Sequence, residues 1–546
     1  MYWVKTVSNT ILLIKRGDSM SRLNSTQRRW TMLVIILVII IGASIYVWMN
    51  QMNKEDKSEQ KPLESTSYRS SYHFTAPDKW KNDPQKPIFY NGKYHYYYLY
   101  NKDYPNGNGT EWRHATSEDL VHWKDEGVAI PKYTNINGDP WSGSVVVDRT
   151  NTAGFGENAF IAVVTQPSKD GGKQEQYLWY STDEGKTFQS AGDEPVLSNP
   201  GVEDFRDPKI IWDDERDKWL MLLAEGSKVG FYESTNLKEW QFTGDFQTED
   251  LGVLECPDLF QMRAPDGTVK WVLGVSANGE AVDKPNNYAY WIGDFNGKNF
   301  EKEHEEPQWL DYGFDWYGGV TFEDGPAEDK LNKRYGLAWM NKWSYADNTP
   351  TMEFDGFNGT DSIVREIRLQ EDEQYGYALA SQPVADLNKL VQSEKTYNDI
   401  TLTNESNTLD AKRETYRIEA DISWKDSKNV GLRLRESKDK SRHIDVGLAI
   451  SENYSYVNRA FVNNPDEEKK FQESQAPFDG DNKNARLTVL VDKTSIEVFI
   501  DDGKVAHSNL AFPLADDQAI SLFSSGGTAT FENVKVEELG TRQNSE

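Results

Sequence analysis

Cysteine is almost absent. A single thiol, Cys256, stands in 546 residues. No intramolecular disulfide can form, so cysteine gives no sign of an oxidising compartment, and no thiolate metal cluster can assemble. Histidine is scarce too: seven residues are scattered along the chain, and no His-Glu-x-x-His pair stands among them. Gly-x-Ser-x-Gly, the mark of a serine hydrolase, is missing, as is the phosphate-cradling Gly-x-x-x-x-Gly-Lys-Ser/Thr. No metal and no cofactor are expected. Positive charge is also in deficit, with 60 Lys and Arg against 88 Asp and Glu, a formal net charge of −28. Such a chain repels nucleic acid and anionic membrane surfaces and suits a neutral or cationic ligand.

Long apolar runs are missing with one exception. Residues 31–49 carry no charge and at about 1.5 Å per residue are long enough to span a bilayer. Residues 1–30 before them hold Lys5, Lys15, Arg16, Arg22, Arg28 and Arg29 against Asp18 alone, which places the N-terminus in the cytoplasm and the rest outside. The run reads as a transmembrane anchor or a signal segment. Residues 50–72 are polar with mixed charge and read as a flexible stalk.

What the chain does have is aromatic, β-rich repetition. Ser117-Glu118-Asp119-Leu120-Val121-His122-Trp123 resembles Ser234-Thr235-Asn236-Leu237-Lys238-Glu239-Trp240, and related stretches end at Phe188 and Phe300. Each has a strand, an Asp or Asn turn, then a strand opened by an aromatic residue. Spacing of roughly 50–65 residues is the scale of propeller blades, which gives about five blades across residues 73–380. Residues 381–410 read as a connector with a short helix around Val384, Leu387 and Leu390. Residues 411–546 show clean period-2 alternation, as in Tyr416-Arg417-Ile418-Glu419-Ala420-Asp421-Ile422, and read as a β-sandwich. The fold class is all-β: a five-bladed propeller followed by a sandwich. The sandwich carries no obvious catalytic cluster and reads as a packing partner, with a sugar-binding module as the alternative.

Three carboxylates share one grammar. Trp80-Lys81-Asn82-Asp83-Pro84, Arg206-Asp207-Pro208 and Glu255-Cys256-Pro257-Asp258 each place an acid one or two residues before a proline that opens an apolar run. Proline is tolerated at a strand's first position. The recurrence suggests equivalent places in three blades, with the acids converging on the axis. Glycoside hydrolysis needs one protonated and one ionised carboxyl across the scissile bond. Asp83, short and held at a strand start, is the candidate nucleophile. Glu255, longer and set among Val253, Leu254 and Cys256, is the candidate acid/base, its affinity for a proton raised by those neighbours. Asp207, beside Arg206, is expected to stay ionised and stabilise the transition state.

Seven motifs carry a resemblance: the three above, with Phe205 opening the second, and Trp112-Arg113-His114-Ala115, Trp141-Ser142-Gly143-Ser144, Tyr312-Gly313-Phe314-Asp315-Trp316-Tyr317 and Ser495-Ile496-Glu497-Val498-Phe499. In this order they resemble glycoside hydrolase family 32, the invertase, levanase and inulinase family, from His73 almost to the C-terminus. The resemblance implies a retaining mechanism and the roles given above for Asp83, Asp207 and Glu255. It also implies substrate contacts from Asn82, Trp112, Ser142, Arg206 and Trp339. The chain departs from the family where Gln85 and Lys86 follow Pro84, where Leu99 replaces a common Gln, and where Arg113 follows Trp112. These changes are expected to fall around the sugar pocket, where a terminal fructose is recognised. The pattern is most similar to extracellular levanases that cut β-2,6 fructan into levanbiose or short oligomers. Arg113 and Trp141 extend the binding groove or pack locally. An exo-β-fructofuranosidase releasing fructose, an inverting five-bladed arabinan or xylan hydrolase, and a non-catalytic fructan-binding protein are the competing readings. The expected partner is levan; the chain is expected to be a monomer that meets the membrane only through its N-terminal segment.

Overall fold

The tyrosine-rich strand Lys93–Asn101 shows why these residues make stacked sheets. Tyr94, Tyr96, Tyr98 and Tyr100 pack with Val320, Phe322 and Leu337 on one face. Tyr97 and Leu99 pack with Val145, Phe160 and Ala162 on the other. Successive strand side chains point to opposite faces, and here both faces are covered. The result is an unbroken aromatic run instead of a polar–apolar alternation. This computed structural model describes residues 67–540, apart from 108, 168–171, 281–284 and 326–329. The N-terminal basic segment, the apolar run 31–49 and residues 50–66 lie outside the described residues. Among the described residues no helix is long and apolar enough to cross a membrane.

Five sheets follow one another along the chain, antiparallel throughout except where Phe357–Asn358 adds a short parallel edge to the first. Blade 1 has Lys79–Tyr90, Lys93–Asn101, Glu111–Ser117 and Lys124–Ile130; blade 2 has Gly143–Asp148, Ala159–Pro167, Gln174–Ser181 and Gln189–Ser190. Blade 3 has Arg206–Asp213, Lys218–Glu225, Lys228–Ser234 and Gln241–Gln247; blade 4 has Val253–Arg263, Val269–Asn278, Asn286–Phe295 and Phe300–Lys302, with Gln308–Trp309 beside the third. Blade 5 has Tyr317–Phe322, Arg334–Trp339, Arg365–Asp372 and Gly376–Pro383. The first strand of each blade touches the first strand of the next, and the fifth touches the first. This closes the ring of a five-bladed β-propeller.

The repeated stretches are the turns between third and fourth strands. Ser117 Oγ accepts the N–H groups of Asp119 and Leu120, and Ser234 Oγ accepts those of Asn236 and Leu237. Asp119 and Asn236 then each accept two further N–H groups through their side chains. Leu120 and Leu237 both take a left-handed φ, 65° and 62°. Short polar side chains thus satisfy turn amides that no strand reaches, which is why the motif is legible in sequence.

Beyond Leu390 the chain forms the sandwich. Its two faces share one core, in which Ile418, Ala420 and Ile422 meet Val430, Leu432 and Leu434. The 21-residue strand Ala519–Leu539 runs through the middle of one continuous 11-stranded sheet that folds over this core. Residues 519–525 pair with Asn429–Glu436, and residues 529–538 pair with Tyr416–Trp424. Gly526, with φ 73°, stands where this strand passes between them, a conformation that costs glycine nothing.

Two sequence expectations need correction. The connector 381–410 contains the expected short helix, as a 3-10 helix at Ala385–Leu390. However, Val391–Thr396 and Ile400–Lys412 are strands of the sandwich, both paired with Ala519–Leu539. Most of their side chains are exposed, so the apolar alternation is weak, and the partner strand lies far away in sequence. The stalk 50–72 is not a stalk at its end. Tyr68 and Tyr72 are buried, and the N–H groups of Ser71, Tyr72 and His73 all donate to Asp492.

Propeller and sandwich meet through buried ions. Arg365 of blade 5 reaches Asp311 at 2.8 Å and Glu497 of the sandwich at 2.6 Å. Glu497 also meets His73 at 2.9 Å, whose other ring nitrogen meets Asp492 at 2.8 Å. All five side chains are fully buried. Arg459 and Asp315 make a second such bridge at 2.7 Å.

Candidate active site

At their first turn of pairing, four inner strands are irregular. Register shifts fall between Lys81 and Pro84, opposite the segment that links Arg206 to Lys209, between Glu255 and Asp258, and between Tyr317 and Val320. The first strand of blade 2 pairs without a break. Asp207, Cys256 and Gly318 take left-handed φ values of 62°, 47° and 62°. Bulges re-aim side chains at sheet rims. Here they turn Asp83, Asp207 and Glu255 from three different blades toward one place at the same end of the axis.

Asp83 is held from both sides. Ser142, from the start of blade 2, donates its hydroxyl to Oδ2 at 2.8 Å. Asn82 donates its amide to Oδ1 at 3.1 Å, and Asn82 is itself oriented by the indole N–H of Trp80 at 2.9 Å. Gln85 locks the backbone behind: its amide donates to the Asp83 carbonyl at 3.0 Å, while its oxygen accepts the Gly143 N–H at 2.7 Å. Gln85 is therefore a buried brace between blades 1 and 2, a role the sequence reading did not give it.

Glu255 accepts from two donors. Its Oε1 receives Nε and Nη2 of Arg206 at 3.2 and 3.1 Å, and its Oε2 receives the hydroxyl of Tyr317. Burial pushes its proton affinity up, Asp83 nearby adds to this, and Arg206 and Tyr317 act against it. The net rise favours a protonated Glu255, as a general acid requires. Tyr317 went unassigned in the sequence, although it opens the inner strand of blade 5 in the place the acids occupy in blades 1, 3 and 4.

Asp207 differs from expectation. Arg206 was expected to keep it ionised, but the guanidinium hydrogen bonds go to Glu255, Gln174 and Asp204. Burial pushes the Asp207 carboxyl well above the usual range, and Glu255 and Asp83 add to the rise; Arg206 opposes it without prevailing. Its Oδ2 accepts the Cys256 N–H at 3.0 Å, and its own N–H donates to Thr165 Oγ1 at 3.0 Å. A buried anion with few donors is costly until positive charge arrives beside it.

The aromatic candidates separate. Trp112 is fully buried and donates its indole N–H to the Trp141 carbonyl at 2.8 Å, so it supports residues 141–142 from beneath and offers no face to a ligand. Trp141 is half-buried beside Ser142. Trp339 is also fully buried; its Nε1 has no partner among the described residues. Its ring lies under Trp80 and Trp343, with centroids 5.9 and 4.9 Å away, and Trp343 is the open ring of this cluster, 46% exposed. Arg113 packs locally, pairing with Asp125 at 2.5 Å and covering the Tyr100 ring. Leu99 is core, paired across the sheet with Trp112.

A propeller that gathers an activated carboxyl acid, a braced carboxylate and a third acid at one end of its axis is built for glycosidic bond cleavage. Comparison with known proteins agrees. Residues 73–383 match the glycosyl hydrolases family 32 N-terminal domain, and residues 386–538 match the family 32 C-terminal domain. The chain belongs to glycosyl hydrolase family 32 and is a glycoside hydrolase. It is 58% identical over 507 residues to the levanbiose-producing levanase of Bacillus subtilis, covering 92% of this chain and 97% of that one. It is 62% identical over 397 residues to the levanbiose-producing levanase of Geobacillus stearothermophilus, covering 73% of this chain and all of that one. Among solved structures, the exo-inulinase of Aspergillus awamori superposes with a TM-score of 0.77 at 26% identity, over 88% of this chain and 100% of that one.

Proposed function

We propose that this protein is a retaining hydrolase of levan that cleaves β-2,6-fructosidic bonds and releases levanbiose or short levan oligomers. The identity to two levanbiose-producing levanases over most of the chain supports the substrate. The observation that carries the chemistry is the convergence of three acids from three blades: Asp83 held by Asn82 and Ser142, Glu255 held by Arg206, and Asp207 held by the Cys256 N–H, with Asp83 and Glu255 both near enough to Asp207 to raise its proton affinity. Asp83 attacks the anomeric carbon of the fructosyl unit. Glu255, protonated, gives its proton to the departing fructosyl oxygen. Water then enters, Glu255 takes its proton, and the fructosyl–Asp83 ester is broken. Asp207 is the transition-state stabiliser: positive charge growing on the sugar draws it into its ionised form. Asn82 and Ser142 hold the nucleophile, Arg206 orients Glu255, and Trp141 and the cluster over Trp339 border the site. The protein works outside the cell as a monomer, secreted or anchored through residues 31–49.

Replacing Glu255 by Gln tests this. Turnover of levan should fall by about 10²–10⁴-fold, while levan binding persists. Full activity in Glu255→Gln would remove the assignment.

A further inference from the structure

The sandwich carries a cleft of about 570 Å³, lined only by its own strands and one turn. This lies within the range of about 300–1,000 Å³ that small-molecule sites occupy. Its floor is a β-bulge. Glu419 pairs with Lys535, and Asp421 pairs with Glu532, so Asn533 and Val534 together oppose Ala420. Asn533 takes a left-handed φ of 52°, and its amide donates to Asp421 Oδ2 at 2.7 Å. The turn at Tyr397 is tied to the same bulge, through its N–H to the Val534 carbonyl at 2.9 Å. Bulges in a regular sheet mark places where a side chain is re-aimed, and a non-glycine residue in this conformation is worth explaining.

The chemistry of the walls selects a ligand class. Asp421 stands directly across from Arg486 on the neighbouring strand, and the guanidinium of Arg486 has no hydrogen-bond or ion-pair partner among the described residues. Lys535 reaches Glu419 at 2.9 Å. With Asp399 at the rim, three carboxylates face two cations, so the cleft is close to neutral. A metal cation would meet Arg486 and Lys535; a phosphorylated ligand would meet the three acids. Carboxylates, a guanidinium and an amide side by side supply paired acceptors and donors, which is what vicinal hydroxyls require. The half-buried Tyr397 adds an aromatic wall.

We propose that this cleft is a second, non-catalytic site for a neutral polysaccharide, holding units of the same polymer that the propeller cleaves. That the polymer is levan rests on the function proposed above. A chain held at both sites dissociates less readily than one held at either, because the second contact is made at high effective concentration.

The test uses the double variant Arg486→Ala with Asn533→Gly in the full chain. Arg486 is exposed, and glycine accepts the Asn533 backbone, so the fold is preserved. Retention on levan is measured by affinity electrophoresis in the Glu255→Gln background, and turnover of a short levan oligosaccharide is measured with Glu255 intact. Retention should weaken about tenfold or more, with oligosaccharide turnover unchanged. Equal retention with and without the double substitution would overturn the proposal. Should the unsubstituted enzyme leave levan intact, the proposed function fails instead, a result distinct from levan hydrolysis with unaltered retention.

Discussion

Gln85 shows how far a single residue reaches. Its amide spans from the Asp83 carbonyl to the Gly143 N–H, so replacing it by Leu frees the Asp83 backbone and strands a half-buried donor. Turnover should drop between about ten- and a hundredfold through misplacement of Asp83, and stability should fall by about 1–3 kcal/mol; steady-state kinetics and thermal unfolding read the two. Tyr317 acts on protons. Its hydroxyl favours the ionised form of Glu255, so Tyr317→Phe raises the proton affinity further. With Glu255 as the general acid proposed above, the alkaline limb of the pH–rate profile should move to higher pH. A limb that stays in place or moves down would deny Tyr317 this role. The sequence announced the three acids because proline follows each one. Gln85, Tyr317 and the fate of Arg206 were hidden because their partners sit on other blades, and no local pattern records a contact across the axis.

At the scale of elements, the repeat was readable where local chemistry repeats. Ser and Asx turns recur because each blade must satisfy the same amides. Tertiary pairing was not readable in Ile400–Lys412, whose polar residues gain strand form only from Ala519–Leu539. The bulges, too, are element-scale devices. A Cβ placed on Gly318 would stand 3.4 Å from Asp83 Oδ1, in a backbone region that L residues rarely adopt. Gly318→Ala should therefore cost about 1 kcal/mol or more of stability and lower turnover, since relaxation of the strand carries Tyr317 away from Glu255. Denaturant unfolding together with kcat checks both.

For the whole molecule, the junction between propeller and sandwich depends on pH. Contacts with Asp492 and Glu497 outweigh burial and raise His73 to about 9, while Arg365 and His73 hold Glu497 down to about 2. A proton bound more tightly by the folded than the unfolded state stabilises most at low pH. The His73 contribution is thus complete below about 6.5 and is lost as pH rises through about 9, an effect of about 3 kcal/mol. The Glu497 contribution is present above about 4.3 and is lost as pH falls toward 2. Thermal unfolding should show stability declining between pH 6.5 and 9, and His73→Gln should flatten that decline. Glu497→Ala, which leaves buried Arg365 ion-paired with Asp311 alone and His73 with Asp492 alone, should cost about 3–5 kcal/mol.

The most direct measurement is the product profile of the protein on levan, inulin and sucrose, resolved by chain length from the earliest time points. Levanbiose or short levan oligomers appearing first from levan, with little released from inulin or sucrose, is the result this account predicts. Fructose alone, released from all three, would contradict it.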